Sequence, residues 1–390
     1  MITQIKTAVC ASAMALLFTG CQKDSAQQLL QEDVAFLKTS ALSLQGEGIE
    51  NNTPGQVYTM SNATTGNRVM AYKRMANGTL SYVSSFNTGG NGSGTGLGNQ
   101  GALILTDDNS FLLAVNAGSN SVASFKITEN GLMLVSTVSS GGMQPVSITQ
   151  HEHLVYVLHA GGTNNISGFT INANGMLQAI PNSARPLSAV STGPAQVSFV
   201  NDGNVLAITE KATNKIVTYT VGDNGMPGIM HTITSSSPTP FGFSVGRQSN
   251  IFVSEAVGGA PGASVLSSYN ISDNGTITLV NGSVAAGQSA ACWVVITNNG
   301  KFAYTTNTAN ANISAFGINN AGSISVSTAI AATTEAGPID AALSNNSKFL
   351  YILNGGGHSI QAFAVSHDGS LSIVQTVPGL PIGANGLAAK

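Results

Sequence analysis

"YILNGGGHSIQAFAVSHDGSL", residues 351–371, is a stretch the chain has already written once in other letters. Residues 304–324 read "YTTNTANANISAFGINNAGSI" and keep the same order: a short apolar run, Asn354 or Asn307, a small-residue loop, a second run closing on an aromatic, and a glycine turn. The closing aromatic recurs at Tyr72, Phe125, Phe169, Tyr219, Tyr269, Phe316 and Phe363. Six residues after each comes a glycine, from Gly78 and Gly131 to Gly322 and Gly369. In five of the seven copies Asn precedes that glycine, as in "ENGLM" and "DNGTI". Asn-Gly and Asp-Gly between apolar runs mark hairpins, because a type I′ turn needs positive φ at both central residues.

The spacings between copies are 53, 44, 50, 50, 47 and 47 residues. Such a period holds about four short strands, the content of one β-propeller blade. Strands of the "FLYIL" and "SIQAFAV" type are apolar or small at nearly every position, which suits sheets covered on both faces. No sustained 3.6-residue periodicity supports a helical solenoid, and no copy carries the Gly-His and Trp-Asp marks of WD40 repeats. The expected fold is all-β: a seven-bladed β-propeller of four-stranded blades over residues 55–390. The first copy starts at "GQVYTMSN" without an inner strand, and the last is followed by "PIGANGLAAK". Residues 383–389 are therefore expected to complete the blade begun by residues 56–88, which leaves the ring without a free edge.

Composition bounds the partners. Charged residues make up 8% of the 390, glycine appears 45 times, and the formal net charge is −3. With no basic run, nothing offers nucleic acid an electrostatic footprint. The N-terminus "MITQIKTAVCASAMALLFTGCQKD" pairs Lys6 with an apolar stretch too short to span a bilayer. "LFTGC" resembles the lipobox of bacterial lipoproteins, which implies a signal peptide over 1–20, lipidation of Cys21, and a polar tether over 21–54. The protein is then expected in the cell envelope, lipid-anchored, periplasmic or surface-exposed, and monomeric. Cys10 would leave with the signal, so Cys292 alone stays free and no internal disulfide forms.

The order Gly-x-x-Pro, apolar inner strand, Asp/Asn-Gly turn, "YxxN"-like strand, aromatic strand and "DNG" resembles the lactonase-type seven-bladed propellers, of which bacterial 6-phosphogluconolactonase is the best-known enzyme. "YTTNTANANISAF" also echoes YVTN-type surface propellers. The resemblance covers about Gln56 to Lys390 and implies a site of His, Arg and Glu around the mouth of the central channel. One family motif has the form Pro-Arg-His before an inner strand, followed by a strand ending in Asn-Glu. The matching segment is "PTPFGFSVGRQSNIFVSE". Pro240 and Glu255 fit, while Phe241 and Gly242 occupy the Arg and His positions. A further family His falls near Ala195 or Gln196.

The repeat alone also selects residues. The second strands end at Asn62, Asn116, His159, Glu210, Glu255, Asn307 and Asn354, so these are expected to circle one face. Inner strands begin nearby with Gln144, Gln196, Phe241, Trp293 and Asp340. Together they would line a funnel that serves as the default ligand site. Two readings stay open for Glu210 and Glu255: a general base of raised pKa, or caps on their own loops. His159 is a general base beside Glu210 or a plain buried polar residue. Trp293 and Phe241 form a sugar platform or plug the channel. Cys292, without a base in sight, reads as buried rather than nucleophilic. No cofactor is required, although Glu210, Glu255, Asn307 and Asp340 offer oxygens suited to a divalent cation. "GLGNQG", Gly96 to Gly101, matches a dinucleotide fingerprint by letters only and reads as a long inter-blade loop.

Two functions follow: hydrolysis of an unphosphorylated sugar lactone or similar small cyclic ester, or a tethered non-catalytic propeller that binds a glycan, peptide or protein. Missing Arg and His, and the absence of clustered cations for a phosphoryl group, set the first against the second.

Overall fold

The computed structural model describes residues 54–390; the signal segment, Cys21 and the tether lie outside the described residues. Within them seven antiparallel sheets follow one another around a ring. Blade I pairs Gly55–Met60, Arg68–Arg74 and Leu80–Asn87, and blade II runs from Leu103–Leu105 to Gly131–Ser139. Blades III to VII begin at inner strands Met143–His151, Pro194–Val200, Pro240–Val245, Ala291–Ile296 and Pro338–Leu343. Six sheets have four strands; in blade III the outer strand breaks into Leu177–Ala179 and Arg185–Pro186. The last strand, Asn385–Ala389, is the inner strand of blade I and pairs antiparallel with Gly55–Met60, with Tyr58 opposite Ala388. The ring is closed as its ends predict.

The repeat is an inter-blade device. Every closing aromatic, from Tyr72 to Phe363, is buried. The recurrent turn glycines take positive φ, +83° at Gly369 and +85° at Gly78, but the residue before each does not, so these glycines are not in the type I′ turns expected from Asn-Gly and Asp-Gly. They also lie against the blade before them. A Cβ on Gly369 would fall 2.5 Å from the Phe302 ring of blade VI, and one on Gly175 would fall 2.2 Å from Phe111 of blade II. The glycine carbonyls then accept hydroxyls from that same preceding blade: Tyr304 Oη donates to Gly369 O at 2.8 Å and Tyr351 Oη to Gly78 O at 3.1 Å. The tyrosine of the "YxxN" pattern and the glycine of the "DNG" turn are two halves of one bolt.

The inner strands carry a second set of ties. Val197 N donates to Ser147 Oγ at 3.2 Å, and Phe243 N to Gln196 Oε1 at 2.7 Å. Each links a blade to its neighbour through a side chain two residues after the proline of the inner strand, Pro145 or Pro194. Asp340 occupies this position in blade VII and meets the backbone of Leu387 in the closing strand.

Candidate functional site

Second-strand ends and inner-strand starts share one face, as the repeat requires. Asn116, Glu210, Glu255, Asn307 and Asn354 each end their strand, His159 lies two residues before the end of Leu154–Gly161, and Asn62 follows its strand by two residues. The ring is not an open funnel: His159, Glu210 and Glu255 are all 0% exposed.

Both glutamates are enclosed by donors. Glu210 accepts Ser188 N at 2.9 Å, the Ser188 hydroxyl, and Thr213 Oγ1 at 2.5 Å. Glu255 accepts Ser235 Oγ at 2.5 Å, Ser267 Oγ at 2.7 Å and Tyr269 Oη at 2.8 Å. Ser188 and Ser235 belong to the connections that lead into blades IV and V, so each carboxylate secures the entry to its own blade. Burial raises the Glu255 pKa, and the three hydroxyls partly offset it. The amides act locally too. Asn307 Nδ2 donates to Asn312 Oδ1 at 2.7 Å and Ser314 Oγ at 2.8 Å; Asn354 Nδ2 donates to Gln361 Oε1 at 3.0 Å. His159 Nδ1 lies 3.3 Å from Asn165 O, its Nε2 is buried without a partner, and burial holds its pKa down at about 4.

The inner-strand starts diverge. Gln144 is exposed, at φ +52°, with its N–H on Asn120 Oδ1 at 2.7 Å. Gln196 is spent on the tie to Phe243. Asp340 is buried, accepts Ala341 N at 2.8 Å, and is pushed up to about 8 because no solvent reaches its carboxyl. The oxygens considered for a cation, those of Glu210, Glu255, Asn307 and Asp340, lie in four different blades. Among the described residues no three His, Cys, Asp or Glu side chains gather as a metal-binding group.

What the structure does bring together is Phe241, Trp293 and Lys211. The two rings pack with centroids 5.1 Å apart, tilted by 54°. Lys211 Nζ stands 4.7 Å over the Phe241 ring and donates to Gly98 O. Burial lowers the Lys211 pKa to about 8, and burial likewise raises the neighbouring Cys292 thiol to about 11. Lys211 escaped the sequence reading because it follows the ring position by one residue and belongs to no repeated slot. Its signal was available: it is the one cation directly after a second-strand end. Trp293 Nε1 is buried without a hydrogen-bond partner.

The glycine-rich connection Thr88–Ala102 crosses this region, and Gln100 is its tip. Gln100 Nε2 donates to Val294 O at 2.8 Å, and Val294 N donates to Gln100 Oε1 at 3.1 Å. A Cβ on Gly242 would lie 2.0 Å from Gln100 Oε1, so the absent side chain is what admits Gln100. The place of the family motif's His is filled from the connection between blades I and II.

Residues 57–191 and 229–342 match the family described as lactonase, seven-bladed β-propeller. The chain belongs to that family. No curated protein matches it. Among solved structures it is similar to a candidate 6-phosphogluconolactonase of Bacteroides uniformis, at 17% identity and TM-score 0.70, over 86% of this chain and 99% of that one. It is similar to a protein of Lactobacillus plantarum, at 17% identity and TM-score 0.69, over 87% and 100%. A periplasmic gluconolactonase of Pseudomonas aeruginosa matches at 15% identity and TM-score 0.67, over 85% and 99%. At these identities the likeness is one of fold.

Proposed function

We propose that this lactonase-family propeller takes a small, unphosphorylated sugar lactone or similar cyclic ester at the axial mouth. The group of Phe241, Trp293 and Lys211 carries the reading. An aromatic pair offers a flat apolar wall to a pyranose-like ring. A desolvated ammonium beside it can donate to a carbonyl oxygen and stabilise the oxyanion that forms when water attacks. Glu210 and Glu255 are left with structural work, since their oxygens already accept hydroxyls within their own surroundings. A phosphorylated lactone fits poorly, because Lys211 is the one cation in this group and phosphoryl recognition draws on paired Arg or Lys. The lipobox-like segment supports attachment through Cys21 and a place in the cell envelope, where unphosphorylated aldonolactones would be met. A monomer needing no cofactor completes the proposal.

A second reading has its own observation: the ring is enclosed and Gln100 occupies the mouth, which suits a tethered propeller that binds a glycan, peptide or protein without turnover. A pH-stat assay of the full chain on D-glucono-1,5-lactone and its 6-phosphate separates the two. Turnover of the neutral lactone, reduced about 100-fold or more in folded Lys211→Met, supports the hydrolase. A comparable loss in folded Glu255→Gln would return the base role to Glu255. No turnover from folded wild type would leave the binding propeller.

A further inference from the structure

The connection Thr88–Ala102 is fifteen residues long and seven of them are glycine, whereas the other blade-to-blade connections span three to seven residues. It does more than join blade I to blade II. Asn62 Nδ2 of blade I donates to Thr95 O at 2.7 Å, Asn99 Nδ2 donates to Val146 O of blade III, and Gln100 N donates to Ala195 O of blade IV at 3.0 Å. The Gln100 carboxamide then reaches blade VI at Val294. From a backbone anchored on blade IV, that side chain passes Gly242 of blade V to meet blade VI.

The Val294 N–H shows why a visitor is needed there. In blades IV and V the corresponding N–H is taken by the inner strand of the preceding blade, Val197 by Ser147 and Phe243 by Gln196. For Val294 the preceding blade presents Gly242, which has no side chain. The tie is missing, and a group from elsewhere supplies an acceptor for the N–H and a donor for the carbonyl. A carboxamide carries those two functions side by side. So does the C1 carbonyl with the C2 hydroxyl of an aldonolactone. Around the same spot, Trp293 Nε1 is buried without an acceptor, and Lys211 Nζ spends itself on the carbonyl of Gly98 in the connection and on Pro194 O at 3.4 Å.

We infer that Gln100 is a built-in pseudo-ligand, and that the subsite it fills at Val294 reads the α-hydroxy carbonyl of an aldonolactone or related α-hydroxy cyclic carbonyl compound. The ligand class rests on the lactone reading above; the displacement does not. When Gln100 withdraws, its two hydrogen bonds pass to the ligand.

Trp293 is the single tryptophan of the chain and reports on this mouth directly. The experiment uses full-chain wild type, Gln100→Ala and the isosteric Gln100→Glu, each checked for folding by circular dichroism. Acrylamide quenching of Trp293 is measured first, followed by binding of D-glucono-1,5-lactam, which is not turned over, and of its 2-deoxy analogue. Both variants are expected to show severalfold stronger quenching. Gln100→Ala should bind the lactam at least about tenfold more tightly than wild type, the equivalent of two lost competing hydrogen bonds, and Gln100→Glu, which keeps an acceptor for Val294 N and loses only the donor to Val294 O, should fall between them. Loss of the 2-hydroxyl should cost severalfold in affinity. Quenching and lactam affinity equal to wild type in both folded variants would overturn the proposal, and so would indifference to the 2-hydroxyl. Lactone turnover is scored separately: lactam binding without turnover keeps the subsite and removes the hydrolase, while turnover with unchanged lactam binding does the reverse.

Discussion

Asp340 shows how one residue couples the fold to pH. Its carboxyl is buried in the inner strand of blade VII, accepts Ala341 N, and meets the closing strand at Leu387. With the folded pKa raised from 3.8 to about 8, the folded state prefers the protonated form. The group's contribution is therefore fully present below about pH 4 and is lost as pH rises through about 8. Asp340→Asn keeps an acceptor for both N–H groups and removes the charge. Urea midpoints at pH 5 and pH 8.5 should show the variant gaining on wild type at the higher pH. A gap that does not change with pH would contradict this. Burial raises the Glu255 pKa as well, and three hydroxyls partly offset it. Glu255→Ala strands those hydroxyls and should cost about 3 kcal/mol or more in denaturant unfolding. Neither carboxylate's surroundings were legible in the sequence, because Ser235 reaches Glu255 from a connection outside the repeated pattern and Leu387 reaches Asp340 from the closing strand.

At the scale of elements, the "DNG" turn carries two requirements that the sequence shows as one. Positive φ was readable from Asn-Gly and Asp-Gly. The need for an empty Cβ position against the preceding blade was not, since the Phe302 that Gly369 meets is 67 residues away in the chain, by subtraction of their numbers. Two alanine substitutions separate these effects. Gly379 has φ +94° and open space around its Cβ position, whereas Gly369 has φ +83° and a ring at 2.5 Å. Gly379→Ala should cost about 1 kcal/mol from backbone strain alone, and Gly369→Ala roughly 2–4 kcal/mol once the clash is added. Equal costs by chemical denaturation would mean that the ring yields freely. Tyr351→Phe, which removes the buried bond from blade VII to Gly78 of blade I, should cost about 1 kcal/mol.

At the scale of the whole molecule, blade I is built from both ends of the described chain, and that pairing joins the last blade to the first. Ending the chain at Ala384 removes the inner strand of blade I and bares the edge of Gly55–Met60. A bare edge pairs with other chains. The truncated protein is expected to lose its cooperative thermal transition and to aggregate on size-exclusion chromatography; a monomer with an unchanged transition would show that closure adds little.

The sequence by itself determined the blade number, the four-strand plan and the closing strand, because each blade repeats the same local needs: an apolar run, an aromatic, a glycine turn. It also placed the seven polar strand ends on one face, because equal positions in a closed ring share a height. Only the tertiary structure decided what that face is. Burial and hydroxyl partners enclosed the glutamates, a missing side chain at Gly242 opened a gap, and Gln100 from a distant connection filled it. Repetition transmits what every blade has in common, while the candidate site is made of the exceptions: Lys211, Gly242, Trp293 and the long connection. Each meets partners from other blades, and those meetings exist only once the ring has closed.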